Sequence, residues 1–217
     1  ADLARDLDDA MRLEPEHLSC YELEAKPGTR FSHHYGAELE RQAEAMEGYF
    51  EQVVMTLTRA EYRWYETANF CRRPGAPGGR DLRSRHNLAY WLGRDYLGLG
   101  MGAVSTVGGL RWRNAPRLRP YLGALAAGET PPREFERLPR AVRGRERLLL
   151  GLRLDEGVQV AAVDGALDRD ALARLERHGL ARVRAAAGEA ERLELTPRGR
   201  FLGGGVSAEL LAYHSPE

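Results

Sequence analysis

The apolar positions of this 217-residue chain recur with periods that change several times along its length. Residues 2–13 set Leu3, Leu7, Ala10 and Met11 at steps of three and four, one face of a helix. Pro15 ends that pattern. His17-Leu18-Ser19-Cys20-Tyr21-Glu22-Leu23 is of strand type. Lys26-Pro27-Gly28-Thr29 follows, with Pro second and Gly third as a type II turn prefers. The clearest helix spans 38–60. Leu39, Ala43, Met46, Phe50, Val53, Val54 and Leu57 make one stripe, while Glu38, Glu40, Glu44, Glu47 and Glu51 lie outside it. Arg63 to Phe70 reads as an aromatic-rich strand. Strand, helix, strand predicts a βαβ unit with a parallel sheet and a right-handed crossover. Ligands of such sheets lie beyond the carboxyl ends of the strands, which directs attention past Phe70.

The segment beyond is of another kind. Pro74 to Gly79 is a loop by composition. Residues 84–94 predict a short helix, and 96–110 are glycine-rich and irregular. A short helix follows Asn114-Ala115-Pro116, and Gly128 to Pro132 marks a boundary. Residues 133–152 read as a helix ending in a leucine run. Asp168 caps a helix over 169–178 that Gly179 terminates. Gly179 to Arg184 and Arg192 to Leu195 are strands joined at Gly188-Glu189, and Thr196-Pro197 opens a last helix. Helices, a hairpin and a helix make a winged-helix-like plan.

Composition narrows the class. Hydrophobic residues are 43% and charged residues 29%, as in globular proteins. No apolar run approaches a bilayer span, and no signal segment opens the chain. Cys20 and Cys71 are too few for a disulfide framework, so a cytoplasmic location is expected. The chain starts at Ala1 inside an amphipathic pattern, which predicts a piece of a longer protein. Net charge is zero but segregated. Residues 1–70 hold seven basic and fifteen acidic residues, and 71–147 hold sixteen basic against six acidic. A positive middle suits a ligand with carboxylates or phosphates.

Candidate chemistry concentrates in that middle. Ser84-Arg85-His86-Asn87-Leu88-Ala89-Tyr90-Trp91 puts an imidazole, an amide and two aromatics within six residues, with His86 and Tyr90 four apart on one helix face. A flat, iron-bearing macrocycle needs one axial nitrogen and apolar walls. Gly98-Leu99-Gly100-Met101-Gly102 lacks the spacing of a dinucleotide loop and suits a tight bend or the close approach of a flat ligand. Cys20 and Cys71 read as buried structural thiols. His33-His34 lacks partners at metal-ligand spacing. The winged-helix-like end carries Arg169, Arg174 and Arg177 on its candidate helix. Asp170 and Glu176 and a slightly negative net charge argue against a nucleic-acid footprint.

The chain resembles the C-terminal half of HemW-type haem chaperones, within the radical-SAM, oxygen-independent coproporphyrinogen III oxidase-like family. Ser19-Cys20-Tyr21-Glu22-Leu23 resembles that family's S-x-Y-x-L strand, and Lys26 to Phe31 its E-P-G-T-x-F turn. Tyr65-Glu66-Thr67-Ala68-Asn69-Phe70-Cys71 resembles Y-E-I-S-N-F-A. Ser84 to Trp91 matches S-R-H-N-x-x-Y-W, and Tyr96 to Ala103 matches Y-L-G-x-G-x-G-A. Gly151-Leu152-Arg153 and Leu195-Thr196-Pro197-Arg198-Gly199 recur in its C-terminal domain.

The resemblance implies an α/β fold, the C-terminal part of a radical-SAM partial (β/α) barrel followed by a small winged-helix-like α+β domain. The expected division is 1–128 for the barrel part with the haem segment and 129–217 for the C-terminal domain. It implies haem carried by His86, as metal ligand, with Asn87, Tyr90 and Trp91. Charge adds Arg83 and Arg85 as partners for propionates. Tyr21, Gly100 and Gly102 are the cofactor-binding residues it implies, for S-adenosylmethionine beside a [4Fe–4S] cluster whose ligands lie outside this chain. The C-x-x-x-C-x-x-C motif is absent, so the chain as it stands is not expected to be catalytic. Val104 stands where the family usually has His.

The function implied is haem binding and transfer. A radical-SAM porphyrinogen oxidase is the alternative, and a winged-helix nucleic-acid module the third reading. The expected partners are haem, a recipient protein that is membrane-associated or free, and a second copy in a homodimer, with no nucleic acid.

Overall fold

A computed structural model describes residues 2–23, 26–42, 45–74, 78–185 and 188–212, the side chain of Leu39 excepted. The Leu39 side chain and Ala43 of the expected stripe, Glu44 beside it, and 75–77 of the expected loop therefore fall outside what is described. Contacts divide the chain into two compact units, Ala1–Ser84 and Arg85–Glu217. The fold is mixed helix and strand, and all strand pairs among the described residues are antiparallel.

The first unit opens with helix α1 (Asp2–Arg12), whose Leu7 is buried, and strand β1 (His17–Ser19). At the following turn Gly28 takes φ +78° and Thr29 N–H donates to the Lys26 carbonyl, as a type II turn requires. The expected single helix is two, α2 (Arg30–Gln42) and α3 (Met46–Arg59). Val53, Val54 and Leu57 are the buried part of the stripe. The expected single strand is a hairpin, β2 (Tyr62–Glu66) and β3 (Asn69–Arg72).

The sheet order is β1-β3-β2, so the expected parallel pair is corrected. β1 and β2 run the same way, but β3 lies between them and is antiparallel to both. The cause is local. Glu66 turns back over Thr67-Ala68 and its carboxylate accepts the Ala68 N–H at 3.1 Å, closing a tight turn inside the aromatic run. A tight turn can join only antiparallel neighbours. Phe50 of α3 packs edge-on to Trp64, and Trp64 stacks on Phe70 at 6.3 Å between centroids.

The second unit begins with helix α4 (Arg85–Trp91), followed by the hairpin β4 (Val104–Val107) and β5 (Leu110–Asn114). Residues 96–110 are thus not irregular throughout. Tyr96 bridges Thr106, and the glycines fall in the connections. Helix α5 (Leu118–Ala126) comes next. Residues 133–137, read as the start of a helix, form strand β6 (Arg133–Arg137) and pair with β5 from Leu110↔Arg137 to Asn114↔Arg133. All five are exposed, so no buried face registers a strand period in the sequence. Helix α6 (Arg140–Gly151) starts only after Pro139.

The C-terminal module keeps the expected order of helices and hairpin, with a third strand and a second closing helix that the sequence did not predict. Strand β7 (Val158–Gln159) precedes helix α7 (Arg169–Arg177) and the hairpin β8 (Ala181–Arg184) and β9 (Arg192–Leu195). Helices α8 (Pro197–Phe201) and α9 (Gly203–Glu209) close the unit. The Asp168 carboxylate accepts the Ala171 N–H at 2.8 Å as N-cap of α7. At its other end Leu180 N–H donates to the Leu175 carbonyl, Gly179 N–H to that of Glu176, and Gly179 takes φ +67°. Those bonds are a Schellman ending. Leu148, Leu152, Val158, Leu172, Leu193 and Leu210 are buried together in one core. No helix among the described residues is long and apolar enough to cross a membrane.

Candidate functional site

The helical spacing of 84–91 places His86 and Tyr90 as expected. Their rings meet edge to face at 5.1 Å between centroids. Tyr90 in turn packs against Tyr96 at 4.9 Å. His86 and Arg85 are exposed, Tyr90 is partly so, and Asn87 is half-buried. Leu88, between them in sequence, faces inward and is buried. The result is an exposed imidazole with an aromatic file behind it. Tyr96 belongs to that file, although the sequence places it only at the head of the Tyr96–Ala103 motif and gives it no site role. Its signal was an aromatic six residues after Tyr90, across the turn at Gly93, and only the Tyr96–Thr106 bridge brings it back.

Trp91 plays a different part. The Arg153 guanidinium lies 4.3 Å from its ring centre, a cation–π contact that covers one face. Arg147 donates to the Trp91 carbonyl at 3.1 Å. Trp91 Nε1 is buried without a hydrogen-bond partner among the described residues. Trp91 therefore ties α4 to α6 and the segment after it. Arg153 stood out in the sequence only within Gly151-Leu152-Arg153, and its contact partner lies 62 residues earlier.

The glycine segment is held by its own neighbours. Gly98 N–H donates to Ser105 Oγ at 3.0 Å, and Gly100 N–H to the Tyr121 hydroxyl at 3.0 Å. Asn114, buried, donates from Nδ2 to the carbonyls of Gly98 and Gly100. Gly102 N–H donates to the Asn114 carbonyl. Gly100 and Gly102 take φ +106° and +69°, and a Cβ on Gly98 would lie 2.3 Å from the Val104 carbonyl oxygen. A tight bend accounts for all three glycines. The bend leaves Leu99, 91% exposed, and Met101 on its outside. Val104, in place of the family's His, begins β4 and is exposed.

In the first unit, Tyr65 is fully buried and its hydroxyl lies 2.8 Å from His17 Nε2, while Ser84 N–H donates to it at 3.2 Å. Burial pushes the Tyr65 phenol up to about 12 and pushes the His17 imidazole down. Both groups are then neutral near pH 7, and the Tyr65 O–H donates to Nε2. As pH falls below 6.5, the unfolded chain takes up a proton at His17 that the folded chain refuses, so stability drops. As pH rises from 10 toward about 12, the unfolded chain loses a phenolic proton that the folded chain keeps, and stability drops again. The alkaline loss is expected to be on the order of 2 kcal/mol and to vanish in Tyr65→Phe. Urea midpoints measured against pH test this, and an unchanged alkaline slope in the variant would assign it to other groups.

The remaining candidates scatter. Arg83 belongs to the first unit, where Asp81 holds its guanidinium through Nε at 3.0 Å and Nη2 at 2.8 Å. That pairing holds the Asp81 carboxyl below its ordinary value. Tyr21 is exposed, also in the first unit. Cys71 is buried in β3, and Cys20 is half-buried with its thiol pushed up by burial. His33 and His34 lie within α2. Among the described residues, no group of three His, Cys, Asp or Glu is arranged to hold a metal ion.

Comparison with known proteins finds likenesses that reach 97% of this chain. Residues 138–202 match the family model described as the HemN C-terminal domain. A protein of Mycobacterium tuberculosis (strain ATCC 25618 / H37Rv) named heme chaperone HemW is 33% identical over 212 residues, which are 97% of this chain and 51% of the relative. Proteins of the same name are 29% identical over 72% of this chain in Bacillus subtilis (strain 168), covering 40% of the relative, and 38% identical over 47% in Escherichia coli (strain K12), covering 25%. The chain spans about half the length of the first of these. Among solved structures, the radical-SAM enzyme coproporphyrinogen III oxidase (HemN) of Escherichia coli superposes with a TM-score of 0.60. That match covers 95% of this chain and 50% of the other at 17% identity, and it shows the fold.

Proposed function

We propose that this chain, which is of the HemW/HemN type in sequence and fold, binds haem at His86 and belongs to a protein that passes haem to a recipient. The observation that carries the reading is the exposed His86 imidazole, packed on Tyr90 and backed by Tyr96. An axial nitrogen must be reachable by a planar ligand, and the ligand's face gains from aromatic and apolar neighbours. His86 is the metal ligand in this reading. Tyr90 and Asn87 flank it, Trp91 anchors the helix that presents it, and Arg85 carries charge suited to a propionate, whereas Arg83 is held by Asp81 in the first unit. Leu99 and Met101 offer exposed apolar surface on the neighbouring bend.

The chaperone reading is preferred to the oxidase reading because the relatives that align with most of this chain are named haem chaperones, whereas the oxidase likeness is one of fold. S-adenosylmethionine and a [4Fe–4S] cluster are cofactors suggested by the family, with Tyr21, Gly100 and Gly102 as the residues here that would serve them. The two cysteines of this chain do not form a cluster motif. The recipient protein, a membrane association of that recipient and a homodimer belong to the same proposal.

His86→Ala is expected to weaken haem binding about tenfold or more, read as a lost or shifted Soret band on titration. Asn87→Ala should weaken it less. An unchanged spectrum and affinity in His86→Ala would sink the assignment.

A further inference from the structure

The second unit carries a large groove that takes no part in the haem reading. One wall is the face of α6 that presents Arg140, Arg143 and Arg147, with Gly144 among them. Gly93 and the β4–β5 turn at Gly108-Gly109 form the second wall, and the 3-10 segments Val160–Ala162 and Asp164–Ala166 form the third. The cavity measures about 920 Å³. Leu138 and Leu150 supply apolar floor, and the walls converge where a Cβ on Gly144 would lie 3.4 Å from that of Ala166.

The charges in this groove are unevenly matched. Glu146 is held by Arg111 through two bonds of 2.7 and 2.8 Å. Asp95 accepts the Gly108 N–H at 3.1 Å, and Asp164 pairs with Arg169. The three carboxylates are therefore already engaged. Arg140 and Arg143 are exposed and have no acidic partner among the described residues. The Arg143 guanidinium reaches across to Gly109, where a Cβ would come within 3.1 Å of Nη1. Arg147 lies deeper, and burial followed by the nearby Arg192 pushes its guanidinium below its ordinary value. The groove thus offers uncompensated positive charge along one helix face.

We propose that this groove binds an acidic peptide segment of a partner protein, in extended form, with its carboxylates on Arg140 and Arg143. Arg140 and Arg147 are separated by about 10 Å along the helix. Alternate side chains of an extended strand recur at about 6.8 Å, so two or three acidic side chains span the arginine row. Glycine and alanine line the other two walls, which lets a peptide backbone come close. Among the described residues the lining includes no aromatic ring on which a base could stack. It includes no His, Cys, Met or Tyr to ligate haem iron either. Bidentate arginine–carboxylate pairing is the recognition chemistry that the exposed Arg140 and Arg143 supply.

The test uses the whole chain and a fluorescein-labelled peptide of alternating Glu and Ala, with its Gln counterpart as the uncharged probe, read by anisotropy. The Glu peptide is expected to bind at least about tenfold tighter than the Gln peptide. Charge reversal of the pair, Arg140→Glu with Arg143→Glu, should weaken it about tenfold or more. Ala162→Trp, which fills the opposite wall without changing charge, should weaken it as well. The single reversal Arg119→Glu on α5, outside the groove, makes half that charge change and should shift affinity less than about threefold. Equal loss in Arg119→Glu would mark general electrostatic attraction and overturn the site. Retained binding in both groove variants would do the same. So would a single-stranded oligonucleotide that binds the groove tighter than the peptide.

Discussion

Gly199→Ala is expected to cost the second unit about 3 kcal/mol or more, read as a lowered urea midpoint. Gly199 sits in the first turn of α8, where its N–H donates to the Thr196 hydroxyl at 3.1 Å. A Cβ there would lie 1.8 Å from the Leu180 carbonyl oxygen and 2.8 Å from its carbon. No rotamer relieves that overlap, because both atoms are backbone. The Leu180 carbonyl is also fixed from the other side, since it accepts the Thr196 N–H at 3.0 Å. Moving it pulls on the start of β8 and on the Schellman ending of α7 together. Gly204→Ala, in α9, is the contrast. Its Cβ would meet nothing within 4 Å, and a helical Ala there should stabilise by about 0.5–1 kcal/mol. A Gly199→Ala protein as stable as the parent would show that α8 docks differently.

Glu66→Ala is expected to destabilise the first unit by about 3 kcal/mol. Glu66 and Asn69 are both 0% exposed. The Glu66 carboxylate accepts from Ala68 N–H and from Asn69 Nδ2, and Asn69 Oδ1 accepts the Ser19 hydroxyl at 2.6 Å. That series of bonds links β2 through its turn to β3 and on to β1. Truncation leaves two buried donors without their acceptor, each at about 1–3 kcal/mol. Glu66→Gln keeps an acceptor oxygen and should recover part of the loss. The Glu16–Arg80 ion pair, exposed on both sides, provides the scale, and Glu16→Ala should cost under about 1 kcal/mol. Equal denaturation midpoints for Glu66→Ala and Glu16→Ala would remove the structural role argued for the turn.

These two sites show how far the linear order carries. Thr196-Pro197 is legible as a helix start, because an N-cap and a Pro at the first position act within one turn. That Gly199 must lack a side chain is not legible, since the atom it would strike belongs to Leu180. Glu66 reads as a charged break in an aromatic run. Its burial, and the hairpin it closes, depend on Asn69 and on β1, which contributes Ser19 from 50 residues away. The helix over 38–60 failed at a similar limit. Its apolar period is real over Met46 to Leu57, but the period continues across 43–45 and does not mark where α2 ends and α3 begins.

In the candidate site, His86 and Tyr90 were placed by helical spacing alone, because residues four apart on one helix meet whatever surrounds them. The sequence by itself thus determined the helix that presents the imidazole, the caps of α7 and α8, the winged-helix-like plan and the likeness to HemW-type proteins. These rest on short-range backbone chemistry or on motif order. The tertiary structure decided the rest. It set β3 between β1 and β2, returned Tyr96 to Tyr90 and laid Arg153 over Trp91. It also opened an arginine-lined groove beside α6. Each of these joins groups distant along the chain, and packing and buried hydrogen bonds select them only once the elements have met.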